Sequence, residues 1–228
     1  MQFGPDSKDA VIVGAHYDAF GELPGADDNA SGVAGLIELA HLLGRTKLQT
    51  RVELVAFTLE EPKTREGDGL FRSEYGGSAV HVRSLKERGI SPRVFINLEM
   101  IGYFSDEDGS QSYPVGLFRS LYPSRGDCIG NYRQNRTGPY SSSCEGCHAG
   151  GVGAAGLLMS AHEIIEGVDW SDHANYWKAG YDAVMVTDMA LHRNRNYHTA
   201  GDTADRLNYN RMAMVVQGVY AVVVDFAR

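Results

Sequence analysis

Short apolar runs alternate with amphipathic segments along this chain. Residues 10–15 read AVIVGA and are apolar at almost every position, as in a central strand that is covered on both faces. Residues 31–43 carry apolar side chains at helical spacing, with Ser31 as the predicted cap. Because strand-like runs are separated by helical patterns, we predict a largely parallel sheet with helices on both faces. Further strands are predicted over 51–58, 93–98 and 183–187, and further helices over 78–88 and 210–226.

The periodic pattern is lost between Gly102 and Gly151, where Gly, Ser, Pro, Tyr and Arg dominate. Loops of that length are uncommon in a compact domain and often carry binding function. No repeat and no linker divides the chain. We therefore expect residues 1–228 to form one α/β domain with a long, loop-rich insertion.

Composition and charge narrow the classes of function. Hydrophobic residues make up 43% of the 228 positions and charged residues 22%, which is enough for a sizeable core. The formal net charge of −8, without a basic cluster in the sequence, argues against a nucleic-acid partner. No apolar run approaches the roughly 18 residues of a membrane span, and no signal peptide is visible. The chain reaches its first strand almost at once, as a mature, truncated or subcloned chain would.

Acidic and histidine residues recur where the predicted strands end. Such carboxylates repel one another at close range unless a cation neutralises them. Sites in parallel α/β sheets form outside the carboxyl ends of the strands, so we expect these side chains to meet in one metal site. A single acid at such a position often only caps the next helix, but that reading fails for the set. The set comprises His16, Asp18, Asp27, Asp28, Glu60, Glu61, Glu99 and His198.

At these positions the chain resembles the M28 metallopeptidases, the co-catalytic zinc aminopeptidases. The segments that carry the resemblance are GAHYDAF, GADDNASGVAGLIELA, FTLEEP, NLEMIG, GVDWSDHANYW and YHTAGDT, in the order of the family. The stretch 127–166 matches poorly. The resemblance implies a three-layer α/β/α sandwich with a mixed, mostly parallel central sheet. It also implies peptide substrates, and it favours a secreted or periplasmic location, although the sequence does not define the compartment or the oligomeric state.

The resemblance further implies two zinc ions and a set of ligands. His16 and Glu99 would hold one ion, Glu61 and His198 the other, with Asp27 bridging both and followed by a cis peptide bond. Many members have Asp where this chain has Glu99, which implies altered geometry rather than loss of the site.

The remaining site residues are matched in the same way. Glu60 matches the general base, and Asp18 the carboxylate that orients the imidazole of His16. Asp202 is expected to orient His198 similarly. Tyr197 matches a tyrosine that hydrogen-bonds the oxyanion in some members, or else it packs under its loop. Asp172 and His173 match the substrate side of the site, or else they begin a helix that Ser171 caps.

Two further groups of residues stand apart from these motifs. Cys144, Cys147 and His148 spell C-x-x-C-H, the haem-c attachment pattern, in the region of weakest resemblance. A short disulfide or free thiols are the preferred interpretation, with Cys128 left over. Five histidines without a motif are expected to be surface or hydrogen-bonded residues rather than ligands: His41, His81, His148, His162 and His192.

Three functions remain after these assignments. The first is a di-zinc aminopeptidase that removes N-terminal residues, which the intact ligand set and Glu60 favour. The second is an acyltransferase like the glutaminyl cyclases, which share the fold and use a single zinc. The third is a non-enzymatic binding ectodomain on a peptidase scaffold, which degenerate ligands would mark.

Overall fold

A computed structural model describes residues 1–64, 70–113, 123–133, 156–160 and 167–228. In this part of the chain, seven strands form one mixed sheet in the order β1-β3-β2-β4-β7-β5-β6. The strands are β1 (Gln2–Phe3), β2 (Asp9–His16), β3 (Arg51–Phe57), β4 (Ser91–Leu98), β5 (Ile129–Arg133), β6 (Gly156–Ser160) and β7 (Ala183–Thr187). The helices are α1 (Gly32–Leu43), α2 (Gly77–Arg88), α3 (His173–Lys178) and α4 (Tyr209–Phe226).

Helices cover the sheet on both faces because its central strands are apolar on both faces. Along β2, Val11 and Val13 share a core cluster with α1 and α4, whereas Ile12 shares the opposite cluster with α2 and α3. This alternation follows from the two-residue period of a strand. The arrangement confirms the predicted three-layer α/β/α fold. None of the helices in the described residues combines the length and apolarity that a membrane span requires.

The four central strands β3, β2, β4 and β7 run parallel to one another. Their carboxyl ends therefore lie along one edge of the sheet, and the segments that follow them are brought together. This edge receives His16 from the end of β2, the glutamate pair after β3, and Glu99 directly after β4.

The structure departs from the predicted elements in four places, one of which is the unpredicted strand β6. β1 pairs antiparallel with β3, and β5 pairs antiparallel with β7 inside the stretch predicted to be loop. Both strands lack the apolar alternation on which the prediction depended. Ser31 does not cap α1, because its hydroxyl donates to the Asp27 carbonyl at 2.7 Å and accepts from Ile101 N at 3.0 Å. This side chain instead ties the start of α1 to the segment after β4.

Candidate metal centre

Six acidic and imidazole side chains converge at the carboxyl edge of the sheet. They form two groups whose donor atoms lie within 4.8 Å of one another: His16, Glu60 and Glu99 in one, and Asp28, Glu61 and His198 in the other. Five of the six are buried, and His198 is partly exposed. Five of the six also belong to the set predicted from the sequence as ligands or base; Asp28 takes the place predicted for Asp27.

The imidazole of His16 is fixed through both ring nitrogens. Nε2 lies 3.2 Å from Glu99 Oε1 and 3.2 Å from Asp28 Oδ1. Nδ1 lies 3.0 Å from the main-chain carbonyl of Asp18, whose carboxylate is farther away at 3.7 Å. Asp18 therefore contacts His16 more closely through its backbone carbonyl than through the carboxylate to which the prediction assigned this role. Its carboxylate accepts from the backbone N of Glu61 at 3.1 Å and so positions the second group as well.

The imidazole of His198 is held by two carboxylates and two aromatic rings. Nε2 lies 2.9 Å from Glu61 Oε1 and 3.0 Å from Asp28 Oδ2. Phe20 stacks on one side at 4.3 Å between ring centroids, and Tyr197 stacks at 3.9 Å. The rings restrict rotation of the imidazole, which keeps Nε2 directed at the carboxylates. Phe20 was not identified from the sequence, since aromatic residues after a strand usually only pack.

The carboxylate between the two imidazoles is that of Asp28 rather than that of Asp27, the residue predicted to bridge the ions. The two oxygens of Asp28 face the two imidazoles, one each. The carboxylate of Asp27 is occupied elsewhere, because it accepts from Gly102 N at 3.1 Å and from Asn194 Nδ2 at 3.2 Å. The cis peptide bond is likewise one residue later than predicted, between Asp28 and Asn29.

Asp202 supports the bridging residue rather than His198. Its carboxylate accepts from the backbone N of Asp27 at 3.0 Å and from the backbone N of Asp28 at 3.1 Å. The predicted partnership with His198 is therefore corrected: Asp202 fixes the main chain that presents the Asp28 carboxylate between the two groups.

Glu99 is oriented by a hydrogen-bond chain that passes through Ser171 of a distant segment to Asn97 of β4. The Ser171 hydroxyl donates to Glu99 Oε2 at 2.5 Å and accepts from Asn97 Nδ2 at 2.8 Å. Ser171 therefore does not cap α3, the alternative considered from the sequence. Outer partners of this kind set the direction in which a ligand oxygen points, and they are as characteristic of a metal site as its ligands.

Burial and neighbouring charges shift the pKa values of residues in both groups. Burial raises the pKa of Glu60 well above its usual range, with Glu99 adding to the shift. Burial likewise raises the pKa of Glu61 to about 7. Burial alone would lower the pKa of His198, but hydrogen bonds to Asp28 and Glu61 raise it to about 9. Protons on these groups therefore offset part of the negative charge of the cluster.

The donor set fits divalent cations. Four buried carboxylates, those of Asp28, Glu60, Glu61 and Glu99, face only two imidazoles, so the fully ionised cluster would carry excess negative charge that bound cations can offset in place of protons. Oxygen and imidazole nitrogen donors suit zinc, and the placement of Asp28 between two groups suits a pair of ions.

An open cavity adjoins this cluster. It has a volume of about 550 Å³, including its opening to solvent. Glu60 lines it, and among the described residues no hydrogen bond holds the Glu60 carboxylate, unlike those of Glu61 and Glu99. Tyr197 lines the same cavity, as expected of a group that could reach a substrate. The remaining wall is largely apolar, with Met100, Trp170, Met185, Met189 and Leu191.

Asp172 and His173 do not line this cavity; they lie at the start of α3, the other of the two positions predicted for them. Both side chains are completely buried beneath the sheet edge. Burial raises the pKa of Asp172 to about 7 and lowers that of His173 to about 4. The imidazole of His173 donates to the Val168 carbonyl at 2.7 Å and packs edge-on against Trp177. Trp170, two residues before Asp172, lines the cavity wall instead.

The residues without a motif have varied positions. His41 is exposed, and His81 is hydrogen-bonded to the Tyr176 hydroxyl at 2.6 Å, so both match the expectation. His192 lines the cavity, although it belongs to neither group of donors. Cys128 is a buried free thiol. Cys144, Cys147, His148 and His162 lie outside the described residues.

Comparison with known sequences identifies the family. The sequence model of Peptidase family M28 matches residues 1–223. The chain belongs to peptidase family M28. It is 44% identical to the uncharacterized protein YfbL of Escherichia coli K12, over 95% of this chain and 67% of that protein. It is 27% identical to leucine aminopeptidase 2 of Arthroderma otae, over 98% of this chain and 43% of that protein.

Comparison with solved structures agrees with the fold of an M28 peptidase. An aminopeptidase from Aneurinibacillus sp. strain AM-1 superposes with a TM-score of 0.69 at 26% identity, covering 100% of this chain and 47% of that one. A glutaminyl cyclase of Bacteroides thetaiotaomicron superposes at 0.66 and 18% identity, over 98% and 75% of the two chains. The M28 domain described here thus spans less than half of the fungal leucine aminopeptidases that it matches.

Proposed function

We propose that this M28 peptidase is a zinc-dependent aminopeptidase that hydrolyses the first peptide bond of its substrates. The observation that supports it most is the carboxylate of Asp28, placed between two imidazoles that belong to two separate groups of donors. Such a pair of groups would hold two ions, one with His16 and Glu99 and the other with Glu61 and His198. Bound zinc ions would acidify a shared water and polarise the scissile carbonyl.

The residues of the chain have distinct tasks in this proposal. Glu60 is the general base, because its carboxylate lines the cavity and makes no hydrogen bond within the described residues. Its raised pKa suits a group that takes a proton from water and passes it to the leaving amine. The hydroxyl of Tyr197 is available to hydrogen-bond the oxyanion that develops. Asp18, Ser171 and Asp202 hold the ligands in place and touch no reacting atom.

The two alternative functions have weaker support. A single-zinc acyltransferase like the glutaminyl cyclases shares this fold. However, a single zinc ion would leave the group of His16 and Glu99 without an ion to bind. A non-enzymatic binding domain would tolerate loss of ligands, whereas every donor position here retains an acid or imidazole. The apolar wall of the cavity fits the side chain of a hydrophobic N-terminal residue.

Replacing Glu60 by Gln tests the mechanism. The amide keeps the shape of the side chain but cannot accept the proton, so we expect kcat on a leucyl anilide to fall by about 10²–10⁴. Zinc content, measured by elemental analysis, should stay at two per chain in the wild type and the variant. Activity that survives the substitution contradicts the role of Glu60. One zinc per chain in an active cyclase assay would instead support the acyltransferase.

A further inference from the structure

A groove with cationic walls lies on the α2–α3 face of the sheet, outside the metal centre. Its volume is about 800 Å³, including the space open to solvent. The floor is made by small or apolar residues: Ala79 and Val82 of α2, and Ala179, which directly follows α3. Four cationic residues line it against a single carboxylate residue, Glu74; the cationic residues are Arg72, Arg83, Lys86 and Lys178.

The charge of this groove is largely uncompensated. All four cationic residues are exposed, on a chain whose formal net charge is −8. Arg72 forms an ion pair with Asp169 at 3.1 Å, and Arg83 donates to the backbone carbonyl of Glu74 at 3.4 Å. Within the described residues, no carboxylate lies at ion-pair distance from Arg83, Lys86 or Lys178. A local positive field on an acidic protein attracts anions to this surface in preference to others.

The near end of the groove adjoins the entrance of the metal centre. Arg72 contacts Asp169 through both its carboxylate and its carbonyl, and the next residue, Trp170, lines the catalytic cavity. On the other side, the backbone N of Gly77 at the start of α2 donates to the carbonyl of Thr58, two residues before Glu60. Direct contacts therefore connect residues at this end of the groove with segments that carry cavity-lining side chains.

From this arrangement, and resting on the proposed peptidase function, we propose that the groove binds an acidic segment of the peptide substrate downstream of the cleaved bond. Arg83 and Lys86 would pair with the carboxylates, while the floor contacts the methylene groups of the same side chains. An extended peptide advances about 3.3 Å per residue, so acids several positions after the N-terminus can reach the groove. The groove would thus select substrates by their acidic content, independently of the N-terminal residue.

Matched substrates test this selection. Two heptapeptides share their first three residues and carry Glu or Gln at positions four to seven, and a leucyl anilide is too short to reach the groove. We expect the wild type to prefer the Glu peptide by about 3- to 10-fold in kcat/KM, mainly through KM. The preference should decrease between 50 and 500 mM salt. In R83Q/K86Q it should disappear, while activity on the anilide is unchanged.

A control variant separates local from global charge. R45Q/K47Q removes the same charge from exposed positions after α1, on the other face of the sheet, and should keep the preference. Equal kcat/KM for the two peptides in the wild type, or a preference that persists in R83Q/K86Q, would overturn the proposal. If the anilide is not cleaved at all, the proposed function fails. The groove is then tested by fluorescence anisotropy with a labelled Glu peptide, and binding that is unaffected in R83Q/K86Q refutes it.

Discussion

Neighbouring carboxylates can have different tasks, as Asp27 and Asp28 show. Asp28 faces both imidazoles, whereas Asp27 is directed to Gly102 and Asn194. We expect D28N to weaken zinc binding by at least about 100-fold, because the amide supplies one weak ligand oxygen in place of two charged ones. D27N keeps an acceptor oxygen for its partners and should retain two zinc ions. Chelator competition with elemental analysis measures both variants, and loss of zinc in D27N alone would restore the original prediction.

The sequence was enough to predict which residue types lie at the strand ends, but not the directions in which their side chains point. The pattern found His16, Glu60, Glu61, Glu99 and His198, all now in one cluster. It could not distinguish Asp27 from Asp28, because both follow a glycine loop and only the backbone path decides which carboxylate points inward. Ser171 was missed as a partner of Glu99 because 72 residues separate the two. Contacts between distant segments leave no local pattern.

Replacement by alanine should have opposite effects on stability at two glycines, because their surroundings are packed differently. A Cβ at Gly14 of β2 would clash with the rings of Phe57 and Phe95, whereas a Cβ at Gly218 of α4 would meet nothing within 4 Å. G14A should therefore destabilise the fold by about 1–3 kcal/mol or more through overpacking. G218A should stabilise it by about 0.5–1 kcal/mol, because alanine favours a helix interior. Urea unfolding compares the two, and equal effects would show that β2 is less tightly packed than described.

An ionic link between β3 and α2 predicts a response to acid. Glu53 lies 2.9 Å from Arg51, 2.7 Å from Arg88 and 3.4 Å from His81. The hydrogen bond from His81, with those from both arginines, lowers the pKa of Glu53 to about 2. A carboxyl whose folded-state pKa is depressed contributes stability above its unfolded value of 4.5, and the contribution is lost as pH falls toward 2.

Replacing Glu53 by Gln should remove that response. We expect E53Q to be less stable than the wild type by about 2 kcal/mol at pH 7, since partial exposure of Arg88 screens the pair. At pH 2.5 the difference should be much smaller. Urea unfolding of both proteins without metal isolates this effect from zinc binding. A difference that does not change with pH would mean that Glu53 contributes by packing rather than by charge.

The elements that could be predicted are those that bury a full apolar face. The predicted strand at 183–187 and the helices at 78–88 and 210–226 lie within one residue of the observed bounds. β1 and β5 were not predicted, because antiparallel pairing at the sides of the sheet depends on backbone hydrogen bonds more than on side-chain pattern. The long segment after Gly102 was therefore not entirely loop.

At the scale of the whole molecule, the chain has a complete two-sided core although it is shorter than many of its relatives. The chain aligns with its relatives over nearly its full length while spanning less than half of several of them. The described core is nevertheless continuous on both faces of the sheet. The whole fold brings four carboxylates and two imidazoles together at one edge of the sheet, so under the proposed function we expect metal binding and folding stability to be coupled.

This coupling predicts that zinc stabilises the protein and that the gain depends on pH. A ligand at 100 times its dissociation constant adds about 2.7 kcal/mol per site, and for a domain of this size two sites should raise Tm by roughly 10–20 °C. Zinc must displace protons from Glu61, whose pKa is about 7, and from His198, whose pKa is about 9. The gain should therefore shrink as pH falls from 9 to 6, because a larger fraction of both groups is then protonated and zinc must displace more protons to bind. Differential scanning calorimetry with zinc or with chelator, at pH 6, 7.5 and 9, measures this.

D28N should show little zinc-dependent gain in Tm, and Glu60→Gln should show the full gain. A Tm that zinc leaves unchanged in the wild type would contradict the two-ion centre.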